Sequence, residues 1–196
     1  PVMFYAMLAL LQAGDEAIYP DPGFPIYRSM IEFTGAKAIP AVLREENEFR
    51  LDIEELRSLV TERTRLLILN SPGNPCGNVL PKSDLEAIAE LAEEHNLVVL
   101  ADEIYSELTY LPEGHVSIAS LPGMWERTIL LNGFSKAFAM TGWRMGYLCA
   151  PVAFADVMCK IHQYTILCAP RQGQVAAEEA LRQGREDGYA DVLSMR

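Results

Sequence analysis

The chain has 196 residues and a formal net charge of −11, from 16 Lys and Arg against 27 Asp and Glu. Half of the residues are hydrophobic and 22% are charged, the balance of a globular chain with one sizeable core rather than of a disordered one. So acidic a chain is a poor match to a nucleic-acid backbone or an anionic membrane surface, so neither is expected as a partner, and any phosphate must be held by a local basic site.

Taken in chain order, the apolar pattern predicts a helix over 3–12 that stops at Gly14, then a short strand over 17–19 ended by Pro20-Asp21-Pro22-Gly23. A helix over 26–34 ends at Gly35, and a strand over 36–43 follows. Asp52, with Glu55 three positions on, reads as the N-cap of a helix through Val60. Leu66-Leu67-Ile68-Leu69 is a continuous apolar strand of the kind buried on both faces, and it runs straight into Asn70-Ser71-Pro72-Gly73-Asn74-Pro75, a tight turn in which a cis Asn74–Pro75 bond is one option.

Ser83-Asp84-Leu85-Glu86 reads as a capping box for a helix ending near Asn96, with Leu85, Ile88, Ala89 and Ala92 as its apolar stripe. Strand 97–100 then delivers Asp102 and Tyr105 just past its carboxyl end. Strand 128–131 delivers Ser135 and Lys136 in the same way. The link to the next strand, 145–150, is shorter than the dozen or so residues that a parallel crossover needs, so that strand is expected to be antiparallel, with Arg144 at its amino end. Helices over 154–167 and 172–181 follow, flanking Cys168-Ala169-Pro170, then a turn over 184–188 and a helix beginning at Tyr189.

Strands alternating with helices indicate an α/β fold, a mostly parallel mixed sheet with one antiparallel strand, layered by helices. The strand ends bring Asn74, Asp102, Tyr105, Lys136 and Arg144 to one rim, where open α/β sheets bind ligands. Lys136 follows an apolar strand and precedes Phe138, Met140 and Trp143, a setting that predicts a partly buried amine suited to Schiff-base chemistry rather than an ordinary surface lysine. Arg144 is a salt-bridge partner or a phosphate grip. Asp102 is a cap after a strand, or a carboxylate that keeps a pyridine ring protonated. Tyr105 and Phe24 are packing aromatics or cofactor contacts. His95, His115 and His162 show no usable spacing. Cys76, Cys149, Cys159 and Cys168 form no Cys-x-x-Cys pair and no metal pattern with histidine, so they read as reduced thiols of a cytoplasmic protein without a metal site. No signal peptide is visible, and no apolar run approaches the roughly 20 residues that span a bilayer.

Four ordered motifs, Asp21-Pro22-Gly23-Phe24-Pro25-Ile26-Tyr27, Asn70-Ser71-Pro72-Gly73-Asn74-Pro75-Cys76-Gly77, Ala101-Asp102-Glu103-Ile104-Tyr105 and the stretch from Ser135-Lys136-Ala137 to Gly142-Trp143-Arg144-Met145-Gly146, resemble the class I/II aminotransferases of pyridoxal phosphate fold type I, closest to the aspartate aminotransferase-like branch. The resemblance implies the three-layer large domain of that fold over 1–186, without its amino-terminal part, and over 187–196 the start of the helix that leads to a small domain. It implies pyridoxal 5'-phosphate as cofactor, with catalytic roles for Lys136, Tyr105 and Asp102. Lys136 would be the Schiff-base lysine and proton shuttle, Asp102 would face the pyridine nitrogen and Arg144 the phosphate. Tyr105 and Asn74 would bind the ring oxygen, Asn74 also the substrate carboxylate. Phe24 would stack on the ring, and Ser135 would add a hydroxyl near the phosphate.

Gly133 stands where a further phosphate-binding serine often occurs, and Cys76 replaces a usual threonine. Relatives are about twice as long, and their Gly-rich phosphate loop and carboxylate-binding arginine lie outside this stretch, so this chain by itself is expected to hold the cofactor weakly or not at all. The implied activity is transfer of an amino group between an amino acid and a 2-oxo acid, in a homodimer with sites at the interface, which residues 162–165 are candidates to reach. The same scaffold also serves carbon-sulfur lyases, cyclopropane-forming synthases, racemases and sensor domains of transcription regulators.

Overall fold

The computed structural model describes residues 1–187. In chain order they form α1 (Val2–Leu10), β1 (Glu16–Asp21), α2 (Ile26–Phe33), β2 (Lys37–Val42), α3 (Ile53–Leu59), β3 (Thr64–Asn70), α4 (Lys82–Glu94), β4 (Val98–Asp102), β5 (Thr128–Gly133), β6 (Gly146–Cys149), α5 (Val152–Thr165) and α6 (Arg171–Asp187). One sheet takes all six strands in the order β2-β1-β3-β4-β5-β6. Every pair is parallel except β5 with β6, where Leu131 faces Leu148 and Gly133 faces Gly146 in an antiparallel ladder, as the short link requires.

Side chains alternate across a strand, so each central strand feeds two cores. Leu67, Leu69, Val99 and Ala101 join Leu56, Leu85, Ile88 and Leu91 on the face covered by α3 and α4. Leu66, Ile68 and Leu100 point the other way, into Tyr5, Met7, Tyr27, Ile31 and Met158 from α1, α2 and α5. The fold is therefore helix, sheet, helix in three layers. This is why β3 and β4 read as unbroken apolar runs: neither face meets water.

Local chemistry explains most element ends and corrects some expectations. Asp52 caps α3, its carboxylate accepting the Glu55 N–H at 3.0 Å. The capping box at Ser83 does not form. Helix α4 starts earlier, from Pro81, without a side-chain cap, and the Asp84 carboxylate is taken by the Arg50 guanidinium, whose Nε donates to it at 2.6 Å. Strand β1 runs on through Pro20 to Asp21, beyond the expected stop; its ladder with β3 ends at Ile18, so on that side the proline removes no hydrogen bond. The turn expected from Gly184 is helical instead, because Arg182 ties Glu179 and Glu186 along the α6 face and good helix formers flank the glycine. The expected helix from Tyr189 lies outside the described residues. Among those described, no helix is long and apolar enough to cross a membrane, and no group of three or more His, Cys, Asp or Glu is placed to hold a metal ion.

Candidate active site

Connections leave β1 toward β2 on one side and, after β2, return across it to β3 on the other. A crevice forms outside the carboxyl ends at such a reversal. Here it is a cavity of about 330 Å3, and Phe24, Asn74, Asp102, Tyr105, Ser135, Lys136 and Arg144 all line it.

They come from the ends of five strands, with Asp102 and Tyr105 following β4 and Ser135 and Lys136 following β5. Phe24 enters from the turn after β1, half-buried and edge-on to Tyr27 at 5.9 Å between ring centres. A side chain at Gly23 would meet the Pro20 carbonyl oxygen at 2.1 Å, so only glycine lets the chain double back to place Phe24 there. Asn74 sits in the turn after β3, and the peptide bonds Ser71–Pro72 and Asn74–Pro75 are cis. The Asn70 side chain fastens this turn. Its Oδ1 accepts the Asn74 N–H at 2.8 Å, while its Nδ2 donates to the Asp102 carbonyl at 3.0 Å.

Asp102 ends β4 with only 4% of its surface exposed. The Tyr27 hydroxyl, fully buried on α2, donates to its Oδ2 at 2.6 Å, and the Ile104 N–H donates to Oδ1 at 3.3 Å. Burial pushes the Asp102 carboxyl above the ordinary aspartate value, and these two donors hold it back in part. Burial and the facing carboxylate push the Tyr27 hydroxyl far up as well, so that it stays a donor. Sequence reasoning passed over both Tyr27 and Asn70. The signal for Tyr27 was a phenol four residues before Ile31 on the buried face of a helix, where its hydroxyl must find a partner; for Asn70 it was an amide closing an apolar strand.

The Lys136 amine projects into the cavity with Nζ 5.3 Å from the centre of the Tyr105 ring. The partial burial expected of it does not occur: the side chain is exposed. The turn over 134–140 turns Phe134 and Ala137 inward, and Phe134 packs on Phe138 and Tyr147, which leaves the lysine on the open side; Trp143, expected to shield it, is 51% exposed. Arg144 follows a 3-10 turn at Thr141–Trp143 in the left-handed region, φ +55°, and its Nη1 donates to the Thr141 carbonyl at 2.9 Å. That backbone geometry swings the chain into β6 and leaves the guanidinium at the cavity rim. Gly133 has a packing reason: a Cβ there would lie 3.1 Å from the Gly146 Cα across the β5–β6 ladder.

The arrangement joins an amine, a buried carboxylate with its donor fixed, a phenol and a guanidinium around one ligand-sized space. The sequence profile of the family "Aminotransferase class I and II" matches residues 2–192. The chain is 49% identical over 177 residues to an aspartate aminotransferase of Pyrococcus abyssi, covering 90% of this chain and 46% of that protein. It is 46% identical over 179 residues to aromatic-amino-acid aminotransferase 2 of Thermococcus litoralis, covering 91% of this chain and 46% of that protein. The crystal structure of an aromatic aminotransferase from Pyrococcus horikoshii superposes with a TM-score of 0.94 at 44% identity, over 99% of this chain and 52% of that one. The chain spans about half the length of the curated relatives it matches. Fold, motifs and these likenesses agree that the chain belongs to the class I and II aminotransferases.

Proposed function

We propose that the protein carrying this chain is a pyridoxal phosphate-dependent aminotransferase, moving an amino group between an amino acid and a 2-oxo acid. Enzymes of this family use that cofactor. The observation that carries the reading is the single cavity shared by Lys136, Asp102, Tyr105 and Arg144. The residues fit the cofactor on physical grounds. A carboxyl held above its ordinary value by burial is stabilised by a cationic N–H, and a protonated pyridine ring offers one. The cavity volume lies at the lower end of the roughly 300–1,000 Å3 of small-molecule sites.

When bound, the cofactor supplies an electron sink for the substrate's α-carbon. Around it, Asp102, itself held by Tyr27, would fix the ring nitrogen. Phe24 would cover one face, and Arg144 with Ser135 would hold the phosphate. Tyr105 and Asn74 would donate to the ring oxygen, and Asn74 would reach the substrate carboxylate. Among the described residues no ion pair ties up Lys136, and its Nζ would take the α-proton of the amino acid and give it up on the cofactor side, so that the nitrogen stays behind when the 2-oxo acid leaves.

Residues 1–186 act as the cofactor-binding domain, a reading supported by the one sheet with its two cores. A homodimer is supported by the apolar surface at the end of α5, where Tyr164 is 88%, Ile166 51% and Leu167 71% exposed. Within 162–165 Tyr164 offers the large apolar surface, while the Thr165 hydroxyl bonds Tyr5 at 2.9 Å and the His162 ring packs on the same tyrosine. The four free thiols suit a cytoplasmic setting.

The test uses the complete reading frame that encodes this chain. Purified protein is expected to convert an amino acid to its 2-oxo acid only while a second 2-oxo acid is aminated, and Lys136→Ala to lower kcat by about 10²–10⁴-fold. Release of pyruvate and ammonia without a second 2-oxo acid would replace the transaminase by a lyase.

A further inference from the structure

The residue after Asp102 turns its side chain away from the cavity, and what it meets there is a second buried polar cluster. Glu103 is 6% exposed. Ser117 Oγ donates to its Oε1 at 2.7 Å, and His115 Nε2 lies 3.0 Å from its Oε2. The His115 side chain is 11% exposed, and among the described residues neither of its ring nitrogens has a hydrogen-bond partner, so Glu103 is the carboxylate it meets by close contact. The backbone of Glu103 is fastened as well, its N–H donating to the Leu131 carbonyl of β5 and its carbonyl accepting the Ser106 N–H, both at 2.9 Å. Asp102 and Tyr105, two of the groups that line the cavity, stand on either side of this anchored residue.

A buried carboxylate facing an imidazole is costly to desolvate, and an apolar pair of the same volume would pack there at less cost. What the polar pair adds is direction: the Ser117 hydrogen bond to one carboxylate oxygen, the close approach of the imidazole to the other, and the bonds of both backbone groups fix Glu103 in orientation as well as in place. We propose that Glu103, clamped by His115 and Ser117, is a positioning residue that sets Tyr105 against Asp102 and Lys136 and so governs how the cavity holds the cofactor. This inference rests on the aminotransferase reading above. The Glu103 charge is also felt at its neighbours, pushing up the Asp102 carboxyl and, more weakly than burial does, the Cys149 thiol. His115 is the basic group that faces it.

The experiment takes the complete protein loaded with pyridoxal phosphate and follows two readouts that a purely structural role would leave unmoved: cofactor affinity and the pH midpoint of the bound cofactor's visible absorption band. His115→Leu and Glu103→Gln are expected to weaken affinity about tenfold, the size of one hydrogen bond to a charged group, and to move the midpoint by about half a unit or more. His115→Gln, which keeps a donor near the Nε2 position, is expected to stay within about twofold of the parent. Ser117→Ala removes one bond and no charge; it should shift both readouts in the same direction by less, and it carries the test if the leucine variant does not fold.

Loss of thermal stability in His115→Leu and Glu103→Gln with both readouts unchanged would overturn the inference while leaving the function intact. So would a glutamine variant as damaged as the leucine one. A parent protein with no visible band and no borohydride-trapped adduct at Lys136 would overturn the function itself, and the inference with it.

Discussion

At the scale of single residues the cavity is built on a conflict, a carboxylate kept where burial disfavours its charge. The folded-state value of Asp102 is raised above the ordinary 3.8, so the cost of ionising it is present in full above the raised value and vanishes below the ordinary one. Asp102→Asn is therefore expected to make the cofactor-free protein more stable at neutral pH, with the gain closing as the pH falls below about 4, as thermal unfolding across a pH series will show. The same change should weaken cofactor binding about 10–100-fold, the worth of a hydrogen bond to a charged group. The residues that line the cavity were legible in the sequence because each interrupts an apolar pattern at a strand end: Asn74, Asp102, Tyr105, Lys136. The residues that hold them were not. Tyr27 and Asp102 are separated by 75 positions and His115 and Ser117 reach back to Glu103 through a loop, and no local pattern encodes such pairings.

Element by element, period and turn chemistry located the strands and helices, and departures arose where a long-range contact outweighed a local signal. Ser83 carries a capping signature, yet Arg50 claims the Asp84 carboxylate and the helix starts without that cap. Gly184 reads as a break, yet ion pairs along α6 carry the helix through it. The first residue of β1 shows how a side chain ties an element into place. Glu16, 2% exposed, accepts the Thr61 hydroxyl at 2.6 Å and the Arg63 guanidinium at 2.8 Å, which joins β1 to the turn before β3. The hydroxyl and the guanidinium hold its carboxyl below the ordinary glutamate value of 4.5, so its contribution is present above that value and is lost as the pH falls through the depressed one. Glu16→Gln should unfold several degrees below the parent at pH 7, at about 2–4 °C per kcal/mol lost, and the two melting curves should converge on acidification.

For the molecule as a whole, the sheet is the partition between two cores, and β4 is one of the central strands that serve both. Leu100 is fully buried on the α1, α2 and α5 side, two residues before Asp102. Leu100→Ala is expected to lower stability by about 2–5 kcal/mol in urea unfolding, because packed layers on both sides leave little freedom to close the void. The layered α/β class followed from the sequence alone, since alternation of strands and helices admits few other packings; the strand order did not, because it depends on which side of β1 each crossover takes. One consequence of that order concerns time. The cavity collects segments from Phe24 to Arg144, so no stretch of the emerging polypeptide holds a working fraction of it, and contacts between residues so distant in sequence form late. A nascent chain that has not yet reached β6 already has most of its apolar interior but not the closed rim that Arg144 completes. Whatever binds there stabilises only the finished arrangement, in proportion to its concentration over its dissociation constant, and so acts as an inspection of completed folding as well as a reagent.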